Sequence, residues 1–216
     1  MTAAAQWLNE TFAGFDYAVL EFFHKLTQTA AAPFFDAFFK FITLLGEEGL
    51  FLIIVSLILM LFKKTRKAGA GMLLGIIIGS VFTNLTIKPL VARPRPYMSD
   101  VDAFKEWWTA VGARQQSEFS FPSGHTTSAM AAMTGLFFTT NKKISWTGFI
   151  FAVLMGMSRI YLCVHYPSDV LGGLVIGFIA GLLSGLLIGL LYKSRDKHAI
   201  GKIVDCDICN LFKKKA

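Results

Sequence analysis

The chain has 216 residues, of which 54% are hydrophobic, 14% aromatic and only 16% charged. That composition is a membrane protein's, and the length suits one compact helical domain. The formal net charge of +7 does not mark a nucleic-acid partner, because the basic residues gather in short runs flanking apolar segments, as topology signals do. Three cysteines make no disulfide framework. Cys163 falls within an apolar helix, and Cys206 and Cys209 form an isolated CxxC with only His198 nearby, short of a metal's ligand set. The amino-terminal residues lack the basic and apolar regions of a cleavable signal.

Residues 1–28 mix apolar positions (Trp7, Leu8, Phe12, Phe15, Leu20, Phe22, Phe23) with Glu10, Asp16, Glu21, His24 and Lys25. The pattern predicts an amphipathic interfacial helix and not a span. Pro33 opens a second amphipathic piece that ends at Leu45, with Asp36 and Lys40 on its polar side. Glu47-Glu48-Gly49 leads into a first span, Leu50 to Phe62, which needs upstream residues to reach membrane length. Lys63-Lys64-Thr65-Arg66-Lys67 ends it. A second span runs from Ala68 to Ile87, about 20 residues and so the length a bilayer core needs, and Lys88-Pro89 stops it. Residues 89–121 form the longest polar connection, with Pro94, Pro96 and a short helix from Asp102 to Ala113. Its Trp107 and Trp108 read as an interfacial anchor, or alternatively as a contact for a substrate tail. The third span runs from His125 to Thr140, the fourth from Ile144 to Val164 and the fifth from Val170 to Tyr192. On the fifth, Gly172, Gly173, Gly177, Gly181, Gly185 and Gly189 recur at mostly four-residue spacing, which lets helices approach closely. Packing within one chain and a homodimer fit that stripe equally well.

These elements predict an all-α, polytopic membrane bundle of about five transmembrane helices, or six if residues 15–28 also span. Its parts are amphipathic amino-terminal helices (residues 1–45), a membrane-embedded core (46–192) and a basic tail (193–216). The run at 63–67, the turn at 142–143 and the tail hold thirteen of the 21 basic residues and fall on one side of a five-span chain. The positive-inside rule makes that side cytoplasmic. The 89–121 connection and the 165–169 turn then face outward.

Three polar clusters converge at that outer level. His125 and His165 are forty residues apart, one span in and one span back, and Lys88 with Arg95 leaves the second span at the same height. Snorkelling explains a lysine at a helix end. It does not explain Arg159, inside the fourth span, where an ionic group costs about 2.5–3.5 kcal/mol on insertion scales. Arg159 needs an anionic partner, either a bound phosphate or Asp169 or Asp100 of the chain. Arginine forks chelate phosphate oxygens and lysine adds a point charge. Ser123-Gly124 at a helix start adds backbone donors and the positive end of the helix dipole. Arg93 is a further cation, less well placed than Arg95. A neutral imidazole is a nucleophile near pH 7 when a carboxylate fixes its tautomer, and Asp169, one helical turn after His165, is within its reach. His125, at the opposite helix mouth, is placed to protonate a leaving oxygen. The clusters read as a phosphate-handling site.

Lys88-x6-Arg95-Pro96, Pro122-Ser123-Gly124-His125 and Ser158-Arg159-x5-His165-x3-Asp169 resemble the three-part signature of the type 2 phosphatidic acid phosphatase family, which also includes vanadium haloperoxidases and glucose-6-phosphatase. The resemblance covers residues 45–190, and three ordered motifs at these spacings are very specific. It implies a metal-independent phosphatase with no cofactor. By it, His165 is the nucleophile that forms a phosphohistidine, Asp169 orients it, and His125 is the acid and later the base. Lys88, Arg95, Ser123, Gly124 and Arg159 bind the phosphate. Some members begin with an additional span where this chain has only amphipathic helices. An outward site at a membrane surface points to a lipid phosphate or diphosphate. Small bacterial relatives commonly act on undecaprenyl pyrophosphate, the expected substrate here, with phosphatidylglycerol phosphate and phosphatidic acid as alternatives. The 97–121 segment is expected to decide headgroup choice. Long apolar spans count against haloperoxidase chemistry. A lipid transporter or binding protein would need the cations but not His125, His165 and Asp169 together.

Overall fold

Nearly every apolar stretch becomes a helix, and the punctuation comes from proline, glycine and lysine. The computed structural model describes residues 1–116 and 119–194; the basic tail past residue 194, with His198, Cys206 and Cys209, lies outside the described residues. Helix α1 (Ala3–Thr27) is started by Thr2, whose hydroxyl accepts from the Ala5 N–H, and α2 (Ala32–Leu45) carries Pro33 in its first turn. Helix α3 (Leu50–Leu61) follows Gly49, whose φ of 70° is a left-handed turn that glycine adopts without penalty. After the basic run, α4 (Arg66–Ser80) continues through a π-helical stretch (Val81–Ile87) into α5 (Lys88–Val91). The long connection carries α6 (Asp102–Ala110). Helices α7 (Gly124–Thr139), α8 (Lys142–Ser145), α9 (Gly148–Tyr161) and α10 (Pro167–Lys193) follow. There is no strand among the described residues.

Three stretches among the described residues are long and apolar enough to cross a membrane: Arg66–Met98, Lys142–Tyr161 and Pro167–Lys193. Helices α2 and α3, bent by 53° to each other, together make a fourth. Helix α7 coincides with the third predicted span but has 16 residues, about 24 Å at 1.5 Å per residue, short of the roughly 30 Å of hydrocarbon. Its first turn belongs to the site and starts below the outer end of α10. Gly173 of α10 lies against the Ser123 carbonyl, so α10 begins six residues further out, about 9 Å.

Helix α7 packs between α4 and α10 with backbones almost touching. A Cβ added at Gly177 would come 2.6 Å from the Thr127 carbonyl, one at Gly181 2.5 Å from that of Ala131, and one at Gly71 2.8 Å from that of Gly135. No side chain fits there, so small residues set the helix separation. The pairs run in step, Gly173 with Ser123, Gly177 with Thr127 and Gly185 with Phe138, so α10 is parallel to α7, while Gly79, Gly75 and Gly71 of α4 meet α7 in the reverse order. The glycine stripe of the fifth predicted span is thus occupied within one chain from Gly172 to Gly185, whereas Gly189 has nothing within 4 Å. The same geometry brings Arg66, Lys67, Lys142 and Lys193 to one end of the bundle, where the Lys67 ammonium stands 5.7 Å over the Tyr192 ring, and the three polar motifs to the other. Around the middle, Ile54, Leu57, Ile77, Val175, Ile179 and Leu186 are exposed, an apolar belt suited to lipid.

The amino-terminal helices are amphipathic as expected, with Trp7, Phe15, Phe22 and Phe34 exposed. Their inner faces are part of the core. Leu20, Phe23 and Phe39 join one buried cluster with Tyr161, Leu162, Val164 and Tyr166 of the α9–α10 turn, so packing runs straight across residue 45. Trp107 is buried and Trp108 half-buried, so protein covers most of both rings. Helix α6 folds back on α1, Trp107 stacks on His24 with centroids 4.9 Å apart, and Trp108 stacks on Tyr97 at 4.5 Å.

Candidate active site

Two turns in unusual backbone conformations deliver the key side chains. In the π-helical stretch the Lys88 N–H reaches the Thr83 carbonyl, five residues back, and both Asn84 and Lys88 line the same cavity. Ala92, at φ 50°, then breaks the helix and sends Arg93 and Arg95 back across the bundle. Cys163, at φ 52°, does the same for the segment that carries His165. Left-handed conformations at non-glycine residues are costly and are retained where the surroundings over-determine them.

Lys88, Arg95, Gly124, His125 and His165, with Asn84 and Gln116, line a cavity of 280 Å³. Gly124 and His125 are the first residues of α7, whose unpaired N–H groups and dipole favour an anion at this point. His165 is 1% exposed. Its Nε2 is 3.1 Å from Arg95 Nη1. Arginine can only donate, so Nε2 holds the lone pair and Nδ1 the proton. Nδ1 faces Asp169 Oδ2 across 3.4 Å. Asp169 is fully buried and accepts from the Tyr166 N–H at 2.9 Å, from Arg93 Nη1 at 2.7 Å and from the Ser120 hydroxyl. It sits in the first turn of α10, where a carboxylate is favoured by the helix dipole. His165 lies in the turn between α9 and α10, outside the spans. Burial pushes its pKa well below the usual 6.5, and the charges of Arg95, Arg159 and Lys88 push the same way. The imidazole is therefore neutral near pH 7.

The remaining sequence-predicted residues divide. Ser123 is fully buried and lines neither this cavity nor the one beside it; its hydroxyl accepts from Thr126 Oγ1 at 2.9 Å and its N–H donates to the Asp169 carbonyl at 3.1 Å. It stands at the start of α7 without a side-chain cap bond and ties that helix to α10. Arg159 lines an adjoining cavity of 460 Å³ that shares His125 and Gln116 with the first. Its Nη1 donates to Thr43 Oγ1 at 2.6 Å, and neither Asp169 nor the exposed Asp100 pairs with it, because Asp169 is taken by Arg93.

Arg93 turns away from the cavity into a buried hydrogen-bond network. Nη1 donates to Asp169 Oδ1 and Ser168 Oγ at 2.7 Å, Nη2 to Asp16 Oδ2 at 2.8 Å and Nε to Asn9 Oδ1 at 2.8 Å, while the guanidinium lies 3.8 Å over the Tyr166 ring. Asp16 also accepts from the Ser168 N–H at 2.8 Å and from its hydroxyl at 2.7 Å. Burial raises the Asp16 pKa from its ordinary value, and the Ser168 and Arg93 contacts pull it back. Sequence reasoning missed Asp16, reading it as part of a solvated face. A usable signal was present: Asp16 stands four residues before Leu20 and seven before Phe23, on the buried stripe of α1. Asn84 was likewise a lone amide inside a predicted span.

Comparison with known proteins agrees with this geometry. Residues 68–192 match the model of the PAP2 superfamily. Undecaprenyl-diphosphatase BcrC of Bacillus subtilis is 31% identical over 165 residues, covering 74% of this chain and 78% of that protein. An undecaprenyl-diphosphatase of Sulfolobus acidocaldarius is 31% identical over 137 residues, 63% of each chain. A solved transmembrane PAP2-type phosphatidylglycerolphosphate phosphatase from Bacillus subtilis superposes with a TM-score of 0.65 at 25% identity, over 87% of this chain and 92% of that one. The matched segment holds Lys88, Arg95, both histidines, Arg159 and Asp169 on the helices and turns described above, and the chain belongs to the PAP2 superfamily as an integral membrane hydrolase of phosphate esters.

Proposed function

We propose that the chain removes the terminal phosphate of a lipid diphosphate, undecaprenyl diphosphate above others, from a site on the extracytoplasmic side of the cell membrane. The observation that carries this reading is the pair of histidines facing one cavity with Lys88, Arg95 and the first turn of α7. Lys88, Arg95 and the α7 N–H groups hold the non-bridging oxygens of the terminal phosphate. His165 Nε2 attacks phosphorus. The bond from phosphorus to the bridging oxygen breaks, its electron pair leaves with the lipid monophosphate, and His125 supplies a proton to that oxygen. Asp169 steadies the positive charge that appears on the imidazole. Water then attacks the phosphohistidine and gives its proton to His125. The P–N bond breaks and inorganic phosphate departs from a neutral His165. Protein cations carry the charge of the transferring group throughout, so a chelator is expected to leave the rate unchanged.

The two relatives named as undecaprenyl-diphosphatases support the substrate. The likeness to a phosphatidylglycerolphosphate phosphatase supports a second reading, hydrolysis of phosphatidylglycerol phosphate or phosphatidic acid. Phosphate release by the purified protein in detergent, with EDTA present, separates them. The panel is undecaprenyl diphosphate, phosphatidylglycerol phosphate, phosphatidic acid and a water-soluble phosphate ester. Highest kcat/KM on the diphosphate is the expected result. Preference for a phospholipid would transfer the protein to phospholipid synthesis, and release from none would point to a lipid carrier.

A further inference from the structure

The cavity that holds the two histidines is polar at two levels. At its mouth stand Lys88, Arg95 and the histidines, and further into the bundle Ser80, Asn84 and Ser128 line its floor. Asn84 and Ser80 lie one and two turns inward of Lys88 on the continuous helix that runs from α4 to α5, and Ser128 lies about one turn inward of His125 on α7. Gly79 meets Thr127 across the contact of α4 with α7, which puts their neighbours Ser80 and Ser128 at one depth. The Asn84 amide and the Lys88 ammonium face the same point at the start of α7. A Cβ on Gly124 would stand 3.4 Å from Asn84 Oδ1 and 3.6 Å from Lys88 Nζ, and one on Gly49 would stand 3.8 Å from Ser128 Oγ. The hydroxyls of Ser56, Thr127 and Ser184 are spent inside the protein, on the Leu52, Ser123 and Gly71 carbonyls. By contrast, the side chains of Ser80, Asn84 and Ser128 hydrogen-bond to no described residue, and none of the three is buried.

Inside a membrane protein an unmatched polar group is costly, so these three side chains call for a ligand. Hydroxyls and amides both donate and accept. An ionised phosphate only accepts, a prenyl tail does neither, and water does both, with ~2–4 polar partners where it is held inside a protein. We infer that the floor of the cavity holds water and that Asn84 positions the molecule that hydrolyses the phosphohistidine. The inference rests on the proposed mechanism and adds a residue to its second half. Once the lipid monophosphate has left, a water on the floor donates one O–H to Asn84 Oδ1 and the other to His125, which turns its lone pair toward phosphorus. The new P–O bond forms as the P–N bond breaks. The electron pair of that bond returns to His165 Nε2, and the proton shared with His125 passes to it. Asn84 exchanges no proton; it orients the nucleophile. Ser80 and Ser128 hold the waters behind, so that the second half-reaction draws on a supply inside the cavity and not across the exposed apolar belt.

The test uses the full chain in detergent with farnesyl diphosphate labelled in its terminal phosphate, and reads steady-state kinetics together with the phosphohistidine trapped by alkaline quenching during turnover. Asn84→Leu keeps the size and loses the acceptor. It is expected to lower kcat and KM together by about tenfold, to leave kcat/KM unchanged and to raise the trapped fraction, because kcat/KM reports the steps up to lipid release and water attacks after them. Ser128→Ala should act in the same direction and more weakly. It removes no bond of the fold, and it carries the test if Asn84→Leu does not fold. A fall in kcat/KM with no accumulation would place Asn84 at substrate binding and overturn the inference. Unchanged kinetics and an unchanged trapped fraction in both variants would overturn it as well, and either result leaves the phosphatase itself standing. Phosphatidylglycerol phosphate, which carries a glycerol hydroxyl beside the transferred phosphate, is the second substrate. Both substrates give the same intermediate, so the rise in trapped phosphohistidine should be the same from either. An effect confined to phosphatidylglycerol phosphate would assign the floor to a substrate hydroxyl and overturn the assignment to water. A wild-type protein that releases phosphate from neither substrate would remove the proposed function and the water site with it.

Discussion

His165 is held so that one ring nitrogen carries the lone pair, turned to Arg95, and the other carries the proton, turned to Asp169. Arg95 marks Nε2 as the lone-pair side, and Asp169 faces the Nδ1 proton. Replacing His165 with alanine should abolish phosphate release while equilibrium binding of lipid persists; substantial remaining turnover would remove it as the nucleophile. The neutral imidazole also predicts a pH dependence. Its pKa lies below 6.5 because burial and three cations disfavour the charged form, so the acid limb that it contributes to kcat/KM lies below 6.5 in the free enzyme. The stability sign agrees. As pH falls below 6.5 the unfolded chain takes up the proton before the folded one does, and stability falls with it. Charged residues inside apolar spans were legible from sequence, because insertion makes them costly without a purpose. Height along the helix was legible as well, since spacing counts turns. The direction in which each side chain points around the axis was not, so sequence did not show that Arg159 lines the adjoining cavity while Lys88 lines the first, or that Ser123 lines neither.

Helix α1 reaches the catalytic turn through a relay of charges. Asp16 and Asp169 share the two ends of the Arg93 guanidinium. Asp16→Asn leaves the full Arg93 charge on Asp169 and makes the imidazolium harder to form. The expected result is a kcat about tenfold lower and an acid limb displaced to lower pH. A helix that only props the fold would reduce the amount of active protein and leave the limb in place. Packing between α7 and α10 gives a second test. A Cβ at Gly181 would lie 2.4 Å from Thr134 Cβ, so Gly181→Ala should destabilise the bundle by about 1–3 kcal/mol, seen as a lower unfolding temperature in detergent. Gly189→Ala, with open space around it, should not. The stripe itself was visible in the sequence, but whether its partner lay in the same chain depended on which helix came alongside. Residues 1–45 left one point open for a related reason. An amphipathic pattern says that one face is apolar, and it does not say whether lipid or protein covers that face.

The bundle as a whole separates its charges by end. The basic residues Arg66, Lys67, Lys142 and Lys193 lie opposite the site, and the exposed apolar belt lies between. The proposed orientation, basic end in the cytoplasm, predicts that an impermeant thiol reagent outside sealed right-side-out vesicles modifies a Gln115→Cys variant and spares Lys143→Cys. The reverse pattern would turn the site inward. Hydropathy and the basic runs made the bundle and its polarity legible. Composition does not reveal that α7 is only 16 residues long and begins at the depth of the site.

Helical phase offers a last consequence. A π-helical turn holds one residue more than the α-helix it interrupts, and each residue of an α-helix advances the azimuth by about 100°. Deleting a single residue between Val81 and Ile87 would leave α4 and its glycine contacts untouched. The stretch would close into ordinary α-helix and Lys88 would keep nearly its present azimuth, whereas the same deletion within α4 would turn Lys88 out of the cavity by that angle. The π-helical turn thus takes up one residue of chain without moving the cation cluster.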